Sequence, residues 1–246
     1  MHRLLVSAEL LEQDAPVLPK DAAKHLKVIR PKVGEEIELF DGCGRSRVYA
    51  WRDGLCATSP ISQTPRASRT LTLFACVTKG SRWDWTVEKA TELGVTRIVP
   101  VISDRTIVRI PRSERAAKRE RWQRIAEDAA RQSDAKWLPE IAEAVDFADA
   151  LPLVKKTTCF VGALTNPPPR PLIAAVADKV KVGGEGEQWN WATFVGPEGD
   201  FTPDELAALL EIATPTSFGP TVLRAETAAI FALSVLSACL SSPLNV

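Results

Sequence analysis

Two hydrophobic rhythms run along the chain. From Asp21 to Ile61 apolar residues are sparse and interleaved with polar ones. Asp21–Arg30 reads as a short helix, and Glu36–Phe40 alternates charged and apolar residues at the period of a strand. The turn Asp41-Gly42-Cys43-Gly44 can return the chain as a second strand over Ser46–Trp51, and Leu55–Ile61 predicts a third. This region is small and β-rich. Ser59–Ser68, rich in Pro and Ser and poor in apolar residues, predicts a linker.

Beyond it strands and helices alternate. Strands are predicted at Leu71–Val77, Val95–Val101, Thr158–Leu164 and Ala192–Val195. Helices are predicted at Trp83–Leu93 (closed by Gly94), Glu114–Ser133, Pro203–Ala213 and Ala225–Leu240. The last is apolar on most faces, which marks it as buried. Val182–Trp191 predicts a surface loop. Strands alternating with helices imply an α/β layer around a mainly parallel sheet.

Composition narrows the function. The 246 residues carry no formal net charge, so any nucleic-acid footprint must be local. Between Arg105 and Arg131 nine Lys/Arg face four Asp/Glu. In the long helix, however, Trp122, Ile125, Ala126, Ala129 and Ala130 form the core side. Arg124 and Arg131 mix with Glu120, Glu127 and Asp128 on a solvated side. Five cysteines without a CxxC pair suggest reduced thiols in a cytoplasmic protein, and two histidines are too few for a His-rich metal site. Leu4–Val6 is too short for the core of a signal peptide. Ser234 and Ser237 interrupt the apolar run Ala228–Leu240, which fits a core helix better than a membrane span.

The chemistry gathers at two glycine turns. In FVGPEGDFTPDE (Phe194–Glu205) a strand ends at Gly196, while Gly196 and Gly199 permit positive φ and close backbone approach. Thr202, Pro203 and Glu205 then form a capping box with proline at the first helical position. Such switch points bind ligands in open α/β sheets, and helix N-termini favour phosphate. Yet Glu198, Asp200, Asp204 and Glu205 crowd this turn, and like charges about 4 Å apart repel by about 1 kcal/mol even in water. The Lys and Ser/Thr of a phosphate loop are missing, as is GxGxxG. A neutral or cationic ligand fits better, although alone the segment reads equally as a capped structural turn. The second turn, in Phe218–Ala238, runs through Gly219-Pro220 and Leu223-Arg224-Ala225-Glu226-Thr227 into a helix rich in alanine. Arg224 and Glu226 beside an apolar segment must be paired or used, a structural Arg–Glu pair being the plainer reading.

With both turns in view the chain resembles the small-subunit rRNA uridine-N3 methyltransferases of the RsmE type, in the SPOUT superfamily. Four blocks carry the likeness: Lys79–Val101, Arg121–Ser133, Gly196–Glu205 and Phe218–Ala229. His25–Arg30 and Leu39–Gly42 extend it to nearly the whole chain. The resemblance implies a PUA-like β-barrel that binds RNA over residues 1–66. An α/β methyltransferase domain with a deep C-terminal trefoil knot would follow over 69–246, working as a homodimer. It implies S-adenosylmethionine as cofactor and 16S rRNA of the small ribosomal subunit as substrate. A sulfonium cation with no phosphate suits an acidic turn.

By position the resemblance assigns Leu164, Gly196, Glu198, Gly199, Gly219 and Leu223 to the cofactor. Arg224 would stabilise charge on the uracil and Glu226 would take the N3 proton. Arg30, Lys79, Arg82, Arg105 and Arg109 would contact RNA, with Trp83 or Trp85 able to stack on bases. Three positions depart from the family pattern: Asp200 replaces a glycine, and Ala135 and Thr221 replace arginines, for which Lys136 and Arg112 are possible substitutes. The competing readings are the same chemistry on another RNA position, a non-catalytic ribosome-assembly protein, and a nucleotide-dependent enzyme. The last is disfavoured by the acidic turn.

Overall fold

The computed structural model describes residues 1–154, 157–165, 167–182 and 189–241, and these form two compact units. The first comprises Met1–Ala67 together with Glu127–Leu138. Its elements are β1 (His2–Leu5), α1 (Ala8–Leu11), α2 (Lys20–Ile29), β2 (Glu36–Phe40), β3 (Arg45–Trp51), β4 (Leu55–Ala57) and β5 (Ser62–Gln63). The sheet runs β1-β2-β3-β4, with β5 also on β3. It is mixed: β1 lies parallel to β2 and the other pairs are antiparallel. Leu4, Leu11, Leu26, Ile37, Leu39, Tyr49 and Leu55 form its core.

Two predictions in this unit need correction. The strand expected over Leu55–Ile61 stops at Ala57, because the Ser59 hydroxyl takes the Val48 N–H and Pro60 has none to give. The expected linker Ser59–Ser68 is not free chain: β5 pairs with β3, and Thr64 N–H donates to the Gly44 carbonyl. Trp137 then fastens the same segment, its indole N–H donating to Thr64 O at 3.1 Å. Its ring packs so close to Gly44 that a Cβ there would sit 2.7 Å away.

A buried ion network joins Glu127–Leu138 to this sheet. Arg3 donates from Nε to Glu38 Oε2 at 2.6 Å, from Nη1 to Ala130 O at 2.7 Å and from Nη2 to Ala135 O at 3.1 Å. Its guanidinium lies 4.1 Å from the Phe40 ring centroid. Lys136 Nζ reaches Glu38 Oε1 at 2.8 Å and Asp134 at 2.9 Å. A buried charge held this way is costly to orphan.

The second unit comprises Ser68–Ala126 and the chain from Pro139 onward. In order it holds β6 (Thr70–Cys76), α3 (Ser81–Glu92), β7 (Arg97–Ile102) and most of α4 (Arg112–Gln132). There follow β8 (Glu140–Ile141), β9 (Val145–Asp146), α5 (Phe147–Ala150), β10 (Thr158–Gly162) and α6 (Leu172–Val182). The chain ends in β11 (Asn190–Val195), α7 (Pro203–Leu210), β12 (Thr214–Thr216) and α8 (Ala225–Ser241). The seven-stranded sheet has the order β12-β10-β11-β6-β7-β8, with β9 also on β7, and every pair is parallel.

Both faces of this sheet are covered. One face packs Leu71, Leu73 and Trp191 against Trp83 and Val87 of α3, Trp122 of α4, and Ala229, Ala232 and Leu236 of α8. On the other, Phe74 stacks on Phe194 at 4.5 Å, beside Leu209 of α7 and Ala150 of α5. Burial on both faces is why these strands read as continuous apolar runs. In this unit the sequence reading missed the short elements β8, β9 and α5, the helix α6, and the edge strand β12, whose central proline disguises it. α7 also ends at Leu210, short of Ala213, and β11 begins at Asn190, so Trp191 is buried core and not loop. Residues 183–188 of the predicted loop lie outside the described residues.

Burial alone would raise the Glu38 carboxyl, but hydrogen bonds from Lys136, Ser46 and Arg3 hold it below its ordinary value. Its contribution to stability is therefore present above the ordinary value of 4.5 and is lost as pH falls through the lower folded value. Arg3→Ala should cost about 3–5 kcal/mol in urea unfolding at neutral pH. Glu38→Gln should flatten the acid-side fall in stability. An Arg3→Ala cost below about 1 kcal/mol would show the network to be dispensable.

Candidate active site

β10 lies between β11 and β12, with Val161 opposite Phe194 and Gly162 opposite Thr216. Parallel pairing in this register brings three carboxyl ends to one edge. At these ends is a cavity of about 310 Å³, lined by residues 162–164 at the end of β10 and by 195–198 with Asp200 at the end of β11. Residues 217–219 and 221–225, leading into α8, complete it together with Ala228. Its size lies at the lower end of the range for small-molecule sites.

The Gly-Pro-Glu-Gly turn is built differently from the sequence expectation. Neither Gly196 nor Gly199 has positive φ; Asp200 does, at 60°. Asp200 N–H closes the turn on Pro197 O at 2.9 Å, and its own Oδ1 accepts from Phe201 N at 2.8 Å. The side chain thus supplies a local bond where the family's glycine would supply freedom. Gly196 serves close approach instead, since a Cβ there would come 3.2 Å from the Phe201 ring. The predicted capping box is present: Thr202 Oγ1 accepts from Glu205 N at 3.2 Å and Glu205 Oε2 from Thr202 N at 2.9 Å. Glu205 Oε1 also accepts from Asp104 N at 2.9 Å. Glu205 is therefore buried and committed inward, and only Glu198 and Asp200 of the four acidic residues line the cavity.

Arg105 and Arg109 also turn toward the protein. Arg105 Nη1 donates to Gly199 O at 2.9 Å and Phe201 O at 3.2 Å. Arg109 donates to Ser103 O at 3.1 Å and Asp104 O at 2.7 Å. Arg105 locks the loop after β7 against the acidic turn, and Arg109 braces that loop from within. Gly199 packs on Arg105 and does not line the cavity, whereas Leu164, Gly196, Glu198, Gly219 and Leu223 do.

At the second turn Gly219 has φ 124°. Gly162 and Phe218 were missed in the sequence: a Cβ at Gly162 would stand 2.5 Å from the Phe218 ring. The signal was a glycine ending the apolar run Cys159–Val161. The expected Arg224–Glu226 pair is absent, because residues two apart on a helix point to different sides. Arg224 is exposed on the cavity lining, and its guanidinium pairs with no carboxylate among the described residues. Glu226 lies off the lining with its side chain 12% exposed. Its Oε1 is 3.8 Å from Arg82 Nε, and its Oε2 is buried without a hydrogen-bond partner. Arg82 also reaches Glu198 at 3.5 Å.

Of the remaining candidates, Lys79 is exposed just after β6, and Arg30 is exposed at the left-handed cap of α2. Trp83 is buried edge-on against Trp122 at 5.5 Å, so only the exposed Trp85 is available for stacking. Lys136 is held by Glu38 and Asp134 and is no free substitute for an arginine at position 135. Arg112 is exposed and lies 3.6 Å from Asp146. The cysteines are free, and burial pushes the Cys76 thiol up to about 11 and that of Cys159 to about 12. Among the described residues no metal-binding group forms, and no helix is long and apolar enough to cross a membrane.

A family described as an RNA methyltransferase domain matches residues 65–237. The chain belongs to this RNA methyltransferase family. Its cavity and both glycine turns lie within the matched segment. The ribosomal RNA small subunit methyltransferase E of Synechocystis is 29% identical over 252 residues, covering 98% of this chain and 78% of that protein. Its Bacillus subtilis namesake is 32% identical over 160 residues, covering 65% of this chain and 62% of that protein. A crystal structure of a ribosomal RNA small subunit methyltransferase E from Neisseria gonorrhoeae, bound to S-adenosyl methionine, is 26% identical with a TM-score of 0.78. The match covers 97% of each chain.

Asp200 sets a graded test of the turn. Asp200→Ala loses both the side-chain bond and the tolerance of positive φ, and should cost about 1–2 kcal/mol in urea unfolding. Asp200→Gly trades bond for freedom and should stay within about 1 kcal/mol of the wild type. Equal midpoints for the two variants would refute the left-handed assignment.

Proposed function

We propose that this chain transfers a methyl group from S-adenosylmethionine to N3 of a uridine in small-subunit (16S) rRNA. The observation that carries this reading is the cavity itself: two carboxylates and no phosphate-binding lysine on one side, an unpaired arginine on the other. Glu198 and Asp200 suit a cation, and the apolar Leu164 and Leu223 suit an adenine ring. The residues present therefore fit the cofactor. When bound, S-adenosylmethionine supplies an electrophilic methyl group.

The chain supplies the rest. Gly196 and Gly219 let backbone approach the ligand. Arg224 stabilises negative charge on a uracil oxygen as N3 loses its proton. Glu226 takes that proton on Oε2, the oxygen that has no partner of its own. Lys79, and Arg30 of the first unit, contact RNA phosphates, whereas Arg105 and Arg109 are spent on backbone carbonyls. The target base leaves its stack to reach the site.

We read residues 1–66 as a PUA-like RNA-binding barrel, 69–246 as the methyltransferase domain that lends residues 127–138 to the first unit, and the C-terminal elements as a trefoil knot. The working enzyme would be a cytoplasmic homodimer. The end-to-end likeness to the Neisseria structure supports this reading, as does the division of contacts near Ala67.

Calorimetry should show binding of S-adenosylmethionine but not of ATP or NAD, and mass spectrometry of treated small-subunit RNA should show one 3-methyluridine. Glu226→Gln should lower the methylation rate about 10²–10⁴-fold without weakening cofactor binding. No cofactor binding, with or without RNA, would leave a non-catalytic RNA-binding protein.

A further inference from the structure

Arg82 occupies the second position of α3, on backbone that the core holds in place. Its neighbour Trp83 is buried, and its carbonyl accepts the Thr86 hydroxyl at 3.0 Å. From this anchored base the half-exposed guanidinium reaches carboxylates of two separate turns. Nη1 stands 3.5 Å from Glu198 Oε1 and Nε 3.8 Å from Glu226 Oε1. Glu198 lines the cavity; Glu226 directly follows the lining residues Arg224 and Ala225. A carboxylate as enclosed as Glu226 is costly to keep charged unless a cation stands by. A group that fixes one of its two oxygens also aims the other.

We propose that Arg82 is a positioning residue for methyl transfer: it holds Glu226 through Oε1, leaves the buried Oε2 without a partner of its own and so able to take the uracil imide proton, and ties Glu226 to the cofactor turn through Glu198. This role rests on reading Glu226 as the proton acceptor. It separates Arg82 from the phosphate contacts among which the family resemblance placed it. Lys79, three residues earlier, is exposed and pairs with no carboxylate among the described residues, and it serves as the contrast.

The test is single-turnover methylation of small-subunit RNA at saturating cofactor and RNA. Arg82→Ala, Arg82→Lys, Glu226→Gln, Lys79→Ala and the Arg82→Ala/Glu226→Gln double variant are compared. Cofactor affinity is read by calorimetry, and RNA affinity by filter binding at two salt concentrations. Arg82→Ala should slow the single-turnover rate roughly 100-fold, the scale of a misplaced catalytic group, with neither affinity weakened. Arg82→Lys should restore part of the rate. In the Glu226→Gln background Arg82→Ala should cost less than about twofold, because both act through one group. Lys79→Ala should weaken RNA binding and its salt dependence.

An Arg82→Ala protein that binds RNA more weakly, with a smaller salt slope and a normal saturated rate, would make Arg82 a phosphate contact and overturn the proposal. So would a full additional loss in the Glu226→Gln background. Failure of the functional reading looks different. The wild-type protein would transfer no methyl group, or Glu226→Gln would be fully active whatever stands at position 82, and the positioning role would fall with it.

Discussion

Everything that lines the cavity follows the carboxyl end of one of three neighbouring parallel strands, and that arrangement is the constraint on which the site depends. Parallel pairing of β10 with both β11 and β12 forces the chain to return to the same edge three times. Each return leaves a turn there, so residues some sixty apart in sequence meet at one place. Register matters as much as order. Sliding β10 by one residue would turn Phe160 and Val161 to the wrong faces of a sheet buried on both sides. Gly162, the last residue of that strand, shows how tight the fit is, because it is the missing side chain that admits the Phe218 ring.

The charges near the cavity are sorted into structural and available groups. Glu205 holds the start of α7 and the loop after β7 together, and is therefore withdrawn from any ligand. Arg105 closes the same seam from the other side by donating to the Gly199 and Phe201 carbonyls, and Arg109 braces the loop after β7 from within. What stays toward the cavity is a smaller set: Glu198, Asp200 and Arg224. The turn looks strongly acidic as a string of letters. Folding halves its acidity at the cavity and places the remaining charge where a compact cation can meet it.

Much of this was legible in the sequence because its cause is local. The capping box of Thr202 and Glu205 needs only four consecutive residues, and helix α8 announces its burial by being apolar all round. Of the six residues that the family resemblance assigned to the cofactor, five line the cavity, whereas Gly199 faces Arg105. What failed depended on partners distant in sequence. No local signal shows that Arg82, and not Arg224, faces Glu226, or that Ser62–Gln63 is drawn into a sheet by β3. Asp200 failed in the opposite sense. Its departure from glycine suggested a changed backbone, yet the left-handed turn persists because the aspartate side chain bonds the next amide.

The membership of Glu127–Leu138 in the first unit has a consequence for how the protein is made. A ribosome releases the chain from its N-terminus, and domains tend to fold as they emerge. When residues 1–67 are out, Arg3 still lacks the carbonyls of Ala130 and Ala135, Glu38 lacks Lys136, and the Trp137 ring that packs on Gly44 has not been synthesised. The nascent unit must hold a buried arginine without most of its partners while some sixty further residues are added. Its completion is thus timed to the arrival of α4, and α8 with the rest of the cavity wall comes later still.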